Sequence, residues 1–188
     1  MLGTRDAAKL ADWKEQAGEN GQVGSFEAAA RYGDIIVLAV KGKAAADVID
    51  LAGPQNMAGK TMIDTTNPIA DAPPEDGVLK YFTSLDESLM ERLQERFPAM
   101  HFVKAFNSVG NTMMVNPNYK QGIPTMFICG NNEAAKKEAS DILDKFGWGT
   151  SDMGKAASAR AIEPLCMLWC IPGFMQNQWS HAFKLVTE

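Results

Sequence analysis

The residues of this 188-residue chain that are best suited to chemistry are small and polar, and they follow four apolar segments. Such amide, hydroxyl and lysine groups can hold an anionic or amide-bearing cofactor, whereas acid–base hydrolysis needs paired carboxylates or a histidine beside a nucleophile. We therefore predict a cofactor-binding rim without a catalytic side chain, and simple turn formation is the alternative role of each loop. The loops are residues 40–43 (Val-Lys-Gly-Lys), 65–68 (Thr-Thr-Asn-Pro), 107–110 (Asn-Ser-Val-Gly) and 130–132 (Gly-Asn-Asn).

A second candidate site lies at the start of the chain, where Thr4 and Arg5 precede a helical segment that begins at Ala7. The residues before them are typical of the carboxyl end of a strand. In dinucleotide-binding folds, an acid at the end of the second strand selects the free 2′-hydroxyl of NAD, whereas a hydroxyl and an arginine accommodate the 2′-phosphate of NADP. Thr4 and Arg5 are of the second type and favour NADP. A solvated arginine at a helix start is the alternative interpretation.

The four apolar segments are predicted strands, bounded by turn residues. Three of them are continuously apolar at their centres, which is typical of strands covered on both faces. Helical patterns alternate with them, and the longest begins at a predicted cap by Ser84 and ends at Pro98. This alternation predicts an α/β fold with a doubly wound, mostly parallel sheet. The predicted strands are residues 35–40, 61–66, 102–106 and 125–130, and the helices are 44–51, 84–98 and 133–146.

The end of the chain has a different pattern. From about residue 156 it contains no strand signal. The pattern predicts an apolar helix, a break at Pro172 and Gly173, and a second helix that includes His181. We expect residues 1–154 to form the sheet domain and residues 155–188 a helical appendage. The appendage either packs on a partner subunit or closes one side of a ligand cleft.

Composition excludes several classes of function. The chain has 18 Lys and Arg against 23 Asp and Glu, a net charge of −5, and no basic run, which argues against a nucleic-acid partner. Its apolar stretches are far shorter than the roughly 18 residues of a membrane span, so we expect a soluble, cytoplasmic protein. Cys129, Cys166 and Cys170 are expected to be buried free thiols, and neither histidine has the spacing from them that a metal site requires.

Six segments in order resemble the NADPH-dependent coenzyme F-420 reductase family of dinucleotide-binding oxidoreductases. They are LGTRD, DIIVLAV, IDTTNPI, VKAFNSVG, PTMFICG and the tail EPLCMLWCIPGF…HAFKL. The cytosolic reductase domain of the six-transmembrane metalloreductases is more distantly similar. The resemblance implies a Rossmann-like fold, NADP as cofactor, and hydride transfer to or from a deazaflavin (coenzyme F-420) or flavin. It also implies a homodimer formed through the C-terminal helices.

The resemblance assigns roles to individual residues. Thr4 and Arg5 match the segment for the 2′-phosphate of NADP. Ala39 and Val40 match the strand end that lies along the cofactor, where the family commonly continues with proline and this chain has Lys41. Two further loops match the surroundings of the nicotinamide and of the hydride-transfer cleft. They are Thr66, Asn67 and Pro68, and Asn107, Ser108 and Val109.

The sequence departs from the family pattern at its start. Family members begin with a strand, a Gly-x-Gly-x-x-Gly turn and a helix, and none of these is found before Leu2. That turn cradles the pyrophosphate, and the first strand lies centrally in the sheet. We therefore expect an N-terminally incomplete family member whose sheet has an exposed edge. The alternative functions are a non-catalytic nucleotide-binding module and an inactive fragment.

Overall fold

The computed structural model describes all 188 residues, which form seven strands and six α-helices. The strands are β1 (Leu2–Gly3), β2 (Val23–Gly24), β3 (Ile35–Leu38), β4 (Thr61–Asp64), β5 (His101–Lys104), β6 (Thr125–Gly130) and β7 (Gly149–Asp152). The helices are α1 (Ala11–Ala17), α2 (Phe26–Tyr32), α3 (Ala45–Ala52), α4 (Leu89–Arg96), α5 (Glu133–Lys145) and α6 (Ala159–Gln176). None of the helices has both the length and the apolar character needed to cross a membrane.

The main sheet has five strands in the order β3-β4-β5-β6-β7. All neighbours in it run parallel except β5 and β6, which are antiparallel, so the predicted mostly parallel α/β sheet is confirmed. In the register of the parallel strands, Leu38 lies opposite Asp64, and Asp64 lies opposite Lys104. The three strands therefore end at one level, which places the loops that follow them side by side.

The two central strands, β4 and β5, are covered on both faces. Met62 and Phe102 belong to a core cluster with residues of α3 and α4, while Ile63 and Val103 belong to a second cluster with residues of α5. Because successive side chains of a strand point to opposite faces, both faces must be apolar. This is the reason for the continuous apolar character of these segments.

β1 and β2 form a separate parallel pair. A cavity of about 470 Å³ lies between this pair and β3, and 16 of its 17 lining residues are hydrophobic. β3 pairs only with β4, so its other edge is free, and Val37 is 58% exposed. The predicted exposed edge is thus confirmed at β3.

The start of α4 differs from its predicted position. The helix is capped by Ser88, whose hydroxyl accepts from the amide of Glu91 while the Glu91 carboxylate accepts from the amide of Ser88. The predicted cap, Ser84, instead accepts from the amide of Asp86 in a turn. Ser88 prevails because Glu91 completes a reciprocal capping box, whereas the carboxylate of Glu87, three residues after Ser84, pairs with Arg92.

The C-terminal segment also differs from its prediction. α6 continues through Pro172 and Gly173 and ends where Asn177 adopts a left-handed conformation, with φ of 54°. Residues 178–188 form no helix, so the predicted second helix is wrong and His181 lies in a non-helical tail. Gly173 leaves room for the ring of Trp179, which folds back onto the helix. The Pro-Gly pair therefore accommodates a packing contact and does not break the helix.

Candidate functional site

The carboxyl ends of β3 and β4 open onto a cavity of about 340 Å³, here called the strand-end cavity. It brings together four of the residues predicted from the sequence, in two loops that are separated by about 25 residues of chain. These four are Val40, Lys41, Thr66 and Asn67. The remaining lining residues are Gly42, Lys43, Thr65, Ile69, Ala70 and Asp71.

Gly42 allows the two loops to meet. A Cβ atom at this position would collide with the carbonyl oxygen of Asn67, so only a glycine fits without a shift of one loop. Gly42 also begins the short 3-10 turn that leads into α3. Backbone amides at the start of a helical segment favour an anionic ligand.

Asn67 and Asn107 form an amide pair behind the cavity. The side-chain nitrogen of Asn67 donates to the backbone oxygen of Asn107 at 2.8 Å, and that of Asn107 donates to the side-chain oxygen of Asn67 at 3.2 Å. Asn107 also donates to the backbone oxygen of Ile162, at the start of α6, at 2.9 Å. Asn107, Ser108 and Val109 are themselves buried, so this predicted loop supports the cavity from behind and does not line it.

A buried lysine, which the sequence analysis did not single out, lies directly beneath these loops. Lys104 is the last residue of β5 and has no solvent exposure. Its ammonium nitrogen lies 2.7 Å from a carboxylate oxygen of Asp64, 3.0 Å from one of Glu163, and 2.9 Å from the backbone oxygen of Thr66. A lysine within the otherwise apolar segment 102–106 was the signal that could have identified it, since a buried charge requires partners.

The two carboxylates connect Lys104 to neighbouring elements. Asp64 accepts from both the amide and the hydroxyl of Thr66, at 2.9 and 2.7 Å, and Glu163 accepts from the amides of Leu89 and Met90 at the start of α4. Burial alone would lower the pKa of Lys104. The charges of Asp64 and Glu163 together outweigh this effect and raise that pKa above its ordinary value. The two carboxylates therefore favour the charged form of Lys104.

The outer rim of the cavity carries an exposed ion pair. The Lys43 ammonium lies 2.8 Å from a carboxylate oxygen of Asp71, and its hydrogen bond holds the pKa of Asp71 below its ordinary value. Lys41 is also exposed on this rim. Two lysines against one carboxylate give the rim a net positive charge, which favours an anionic ligand.

The other predicted site residues lie elsewhere. Thr4 and Arg5 follow β1, and the Thr4 hydroxyl bonds within the turn to the backbone of Asp6. Neither lines the strand-end cavity. Ala39 lines the cavity between the two sheets, together with Val40, and Pro68 is buried between lining residues Asn67 and Ile69. The structure thus groups the strand-end residues but keeps the predicted 2′-phosphate pair apart from them.

The aromatic residues of the C-terminal segment pack on one another and not on the cavity. Trp179 contacts both Trp169 and Phe174, with ring centroids 5.6 and 5.3 Å apart. The Trp169 indole donates to the backbone oxygen of His181 at 2.8 Å. These residues fasten the tail to α6, and none of them lines the strand-end cavity.

A parallel sheet with glycine-containing, amide-rich loops at its strand ends is the architecture of Rossmann-like nucleotide-binding proteins. Comparison with known proteins defines the family more closely. Residues 1–68 match the family described as NADP oxidoreductase, coenzyme F420-dependent. The family resemblance that the sequence motifs predicted is thereby confirmed.

Two solved structures and one curated protein are similar to this chain. A candidate F420-dependent NADP reductase from Arthrobacter sp. FB24 is 28% identical and has a TM-score of 0.90, covering 98% of this chain and 87% of that chain. A hypothetical protein from Sinorhizobium meliloti, 23% identical with a TM-score of 0.69 over 83% of this chain and 73% of that one, shares the fold. Metalloreductase STEAP3 of Rattus norvegicus is 32% identical over 155 residues, which are 80% of this chain and 29% of its own. This chain thus spans less than a third of the metalloreductase.

Proposed function

We propose that the protein is an NADPH-dependent reductase that transfers hydride between NADPH and a deazaflavin or flavin acceptor. The strand-end cavity carries this proposal, because it joins Val40, Lys41, Thr66 and Asn67 at the aligned ends of two parallel strands. The family match and the likeness to the Arthrobacter protein support it.

The residues present fit the nicotinamide half of such a cofactor. The cavity offers amide groups for a carboxamide, a positive rim for a phosphate, and the close backbone approach that Gly42 permits. The reduced nicotinamide supplies the hydride when the cofactor is bound. The chain itself need only orient the rings and exclude water, since direct hydride transfer requires no acid or base from the protein. Asn67, held by Asn107, is the side chain proposed to orient the ring.

The preference for NADP over NAD is assigned to Thr4 and Arg5. The hydroxyl and the guanidinium would bind the 2′-phosphate, because arginine forms paired, charge-assisted hydrogen bonds to phosphate oxygens. The exposure of Arg5, which has no ion-pair partner in the structure, leaves its guanidinium accessible to such a ligand. Arg5→Gln should therefore weaken NADPH binding and leave NADH binding unchanged.

The test of the reaction is NADPH oxidation at 340 nm by the purified protein with three acceptors, namely coenzyme F-420, a free flavin and a ferric chelate. Oxidation that depends on one acceptor identifies it. The Asn67→Ala variant should lose most of this activity, whereas Leu51→Ala, far along α3 and exposed, should retain it. If NADPH is oxidised with none of the acceptors, the reductase proposal is wrong.

One observation favours a second function, a module that binds a nucleotide without catalysis. The sequence contains no Gly-x-Gly-x-x-Gly turn, so the residues that usually cradle a pyrophosphate are missing from it. Calorimetric titration of the chain with NADPH distinguishes the cases. Binding without turnover supports the module, and binding with turnover supports the reductase. The absence of both would contradict the reductase and the module alike.

A further inference from the structure

The ammonium of Lys104 is enclosed by three oxygen atoms and is closed off from solvent. It has three N–H donors, and three acceptors surround it, namely Asp64, Glu163 and the backbone oxygen of Thr66. Because the side chain is also completely buried, it cannot touch a ligand in the strand-end cavity. Lys104 can therefore affect the cavity only through the groups that it contacts.

Those partners hold one residue of the cavity wall at three points. Lys104 binds the backbone oxygen of Thr66, while Asp64 accepts from both the amide and the hydroxyl of Thr66. The next residue, Asn67, lines the cavity and is paired with Asn107. The orientation of Asn67 therefore depends on a backbone that is fixed from below by a buried ion cluster.

We propose that Lys104 is a positioning residue, which holds the corner formed by Thr66 and Asn67 in the conformation that orients the ligand. The identity of this ligand as the nicotinamide of NADPH rests on the proposed function. The placement of the corner rests only on the contacts just described. Lys104, at the end of β5, is thus connected to the cavity wall through Thr66 and to α4 and α6 through Glu163.

A purely electrostatic role is the competing explanation. One lysine and two carboxylates give the cluster a charge of 1 − 2 = −1, and loss of the lysine alone leaves two unpaired buried charges, which is strongly destabilising. The double variant Lys104→Gln with Asp64→Asn keeps the charge at −1, from Glu163 alone. The double variant therefore separates the effect on the free energy of unfolding from the effect on the placement of Thr66 and Asn67.

The experiment compares the wild-type chain, Lys104→Gln and the double variant by urea unfolding, by hydrogen exchange of the amides of Thr66 and Asn67, and by steady-state NADPH oxidation. We expect the double variant to recover much of the stability lost in Lys104→Gln. In both variants, the rate of amide hydrogen exchange at Thr66 and Asn67 should rise. The value of kcat should fall about tenfold or more, with little change in KM for NADPH, because misplaced reacting groups slow the chemical step.

Lys60→Gln is the matched control. Lys60 also donates to two backbone oxygens, those of Ala30 and Gly33, but it has no contact with the cavity wall. The Lys60→Gln variant should leave amide hydrogen exchange at Thr66 and Asn67 unchanged. If the double variant regains wild-type exchange and kcat together with stability, Lys104 only balances charge and the proposal is wrong. If the wild type oxidises no NADPH, the proposed function fails, and exchange at the corner still decides the role of Lys104.

Discussion

Gly42 is the residue at which one added methyl group would disturb the strand-end cavity most directly. In Gly42→Ala, the new Cβ would meet the backbone oxygen of Asn67, so one of the two loops must move. We expect a loss of about 1–3 kcal/mol in the free energy of unfolding, the usual cost of overpacking, together with weaker NADPH binding. Urea unfolding and calorimetry measure the two effects.

Gly149→Ala provides the control for this prediction. A Cβ at Gly149 would lie 3.4 Å from the nearest atom, the backbone oxygen of Pro124, which is an ordinary contact distance. This substitution should change the free energy of unfolding by less than about 0.5 kcal/mol. Equal losses in the two variants would show that the approach of the loops at Gly42 is not the cause.

Individual residues also show which parts of the candidate site could be predicted from the sequence. Lys41, Thr66 and Asn67 were found because polar residues that follow apolar strands must lie at the sheet edge, and parallel strands share that edge. The inward direction of Asn107 and the triple pairing of Lys104 could not be predicted in this way. Asn107 donates to Ile162 and Lys104 pairs with Glu163, and only the packing of α6 against the sheet brings these contacts together.

At the scale of elements, α4 and α6 are joined by an ion pair that should depend on pH. The Arg160 guanidinium lies 2.7 Å from a carboxylate oxygen of Glu91, and hydrogen bonds from Arg160 and Ser88 hold the pKa of Glu91 below its ordinary value. A carboxyl group with a lowered pKa stabilises the fold above its unfolded pKa of about 4.3, and this contribution disappears as the pH falls through the folded pKa.

Glu91→Gln should therefore destabilise the protein at pH 7 by up to about 1 kcal/mol, since the pair is partly exposed. The difference from wild type should shrink as the pH is lowered below about 4. Urea unfolding at several pH values measures this. Glu95→Gln, on the exposed side of the same helix and without an ion-pair partner, is the control and should change the free energy of unfolding by less than about 0.5 kcal/mol. A loss in Glu91→Gln that is constant with pH would contradict the prediction.

The same two helices show which element boundaries a sequence can predict. A serine cap and Pro98 predict the existence of α4, but the cap is Ser88 and not Ser84, because Glu91 completes a reciprocal bond with Ser88. The Pro172-Gly173 pair usually indicates a helix end. Here the helix continues to Gln176, because Trp179 packs into the space above Gly173, a tertiary contact that no local signal encodes.

For the whole molecule, the free edge of β3 is the surface most prone to pair with another chain. Val37 is exposed there beside the apolar cavity between the two sheets. A lysine on an edge strand opposes such pairing, so Val37→Lys should slow aggregation at high protein concentration, as measured by light scattering. Leu51→Lys makes the same change in charge on α3. Equal protection by both variants would assign the effect to net charge and not to the edge.

α6 presents a second exposed apolar surface, formed by Leu168 at 55% exposure, Phe174 at 45% and Met175 at 59%. We propose that this surface forms the homodimer contact, because three large apolar side chains exposed on one short stretch of helix are typical of an interface. The double variant Leu168→Lys with Met175→Lys should then be monomeric by light scattering, and its unfolding midpoint should no longer rise with protein concentration. Leu51→Lys, at an exposed leucine on α3, should remain dimeric. A monomeric wild-type chain would contradict the homodimer. A dimer that survives both lysines would exclude α6 as the contact and leave the β3 edge as the next surface to test.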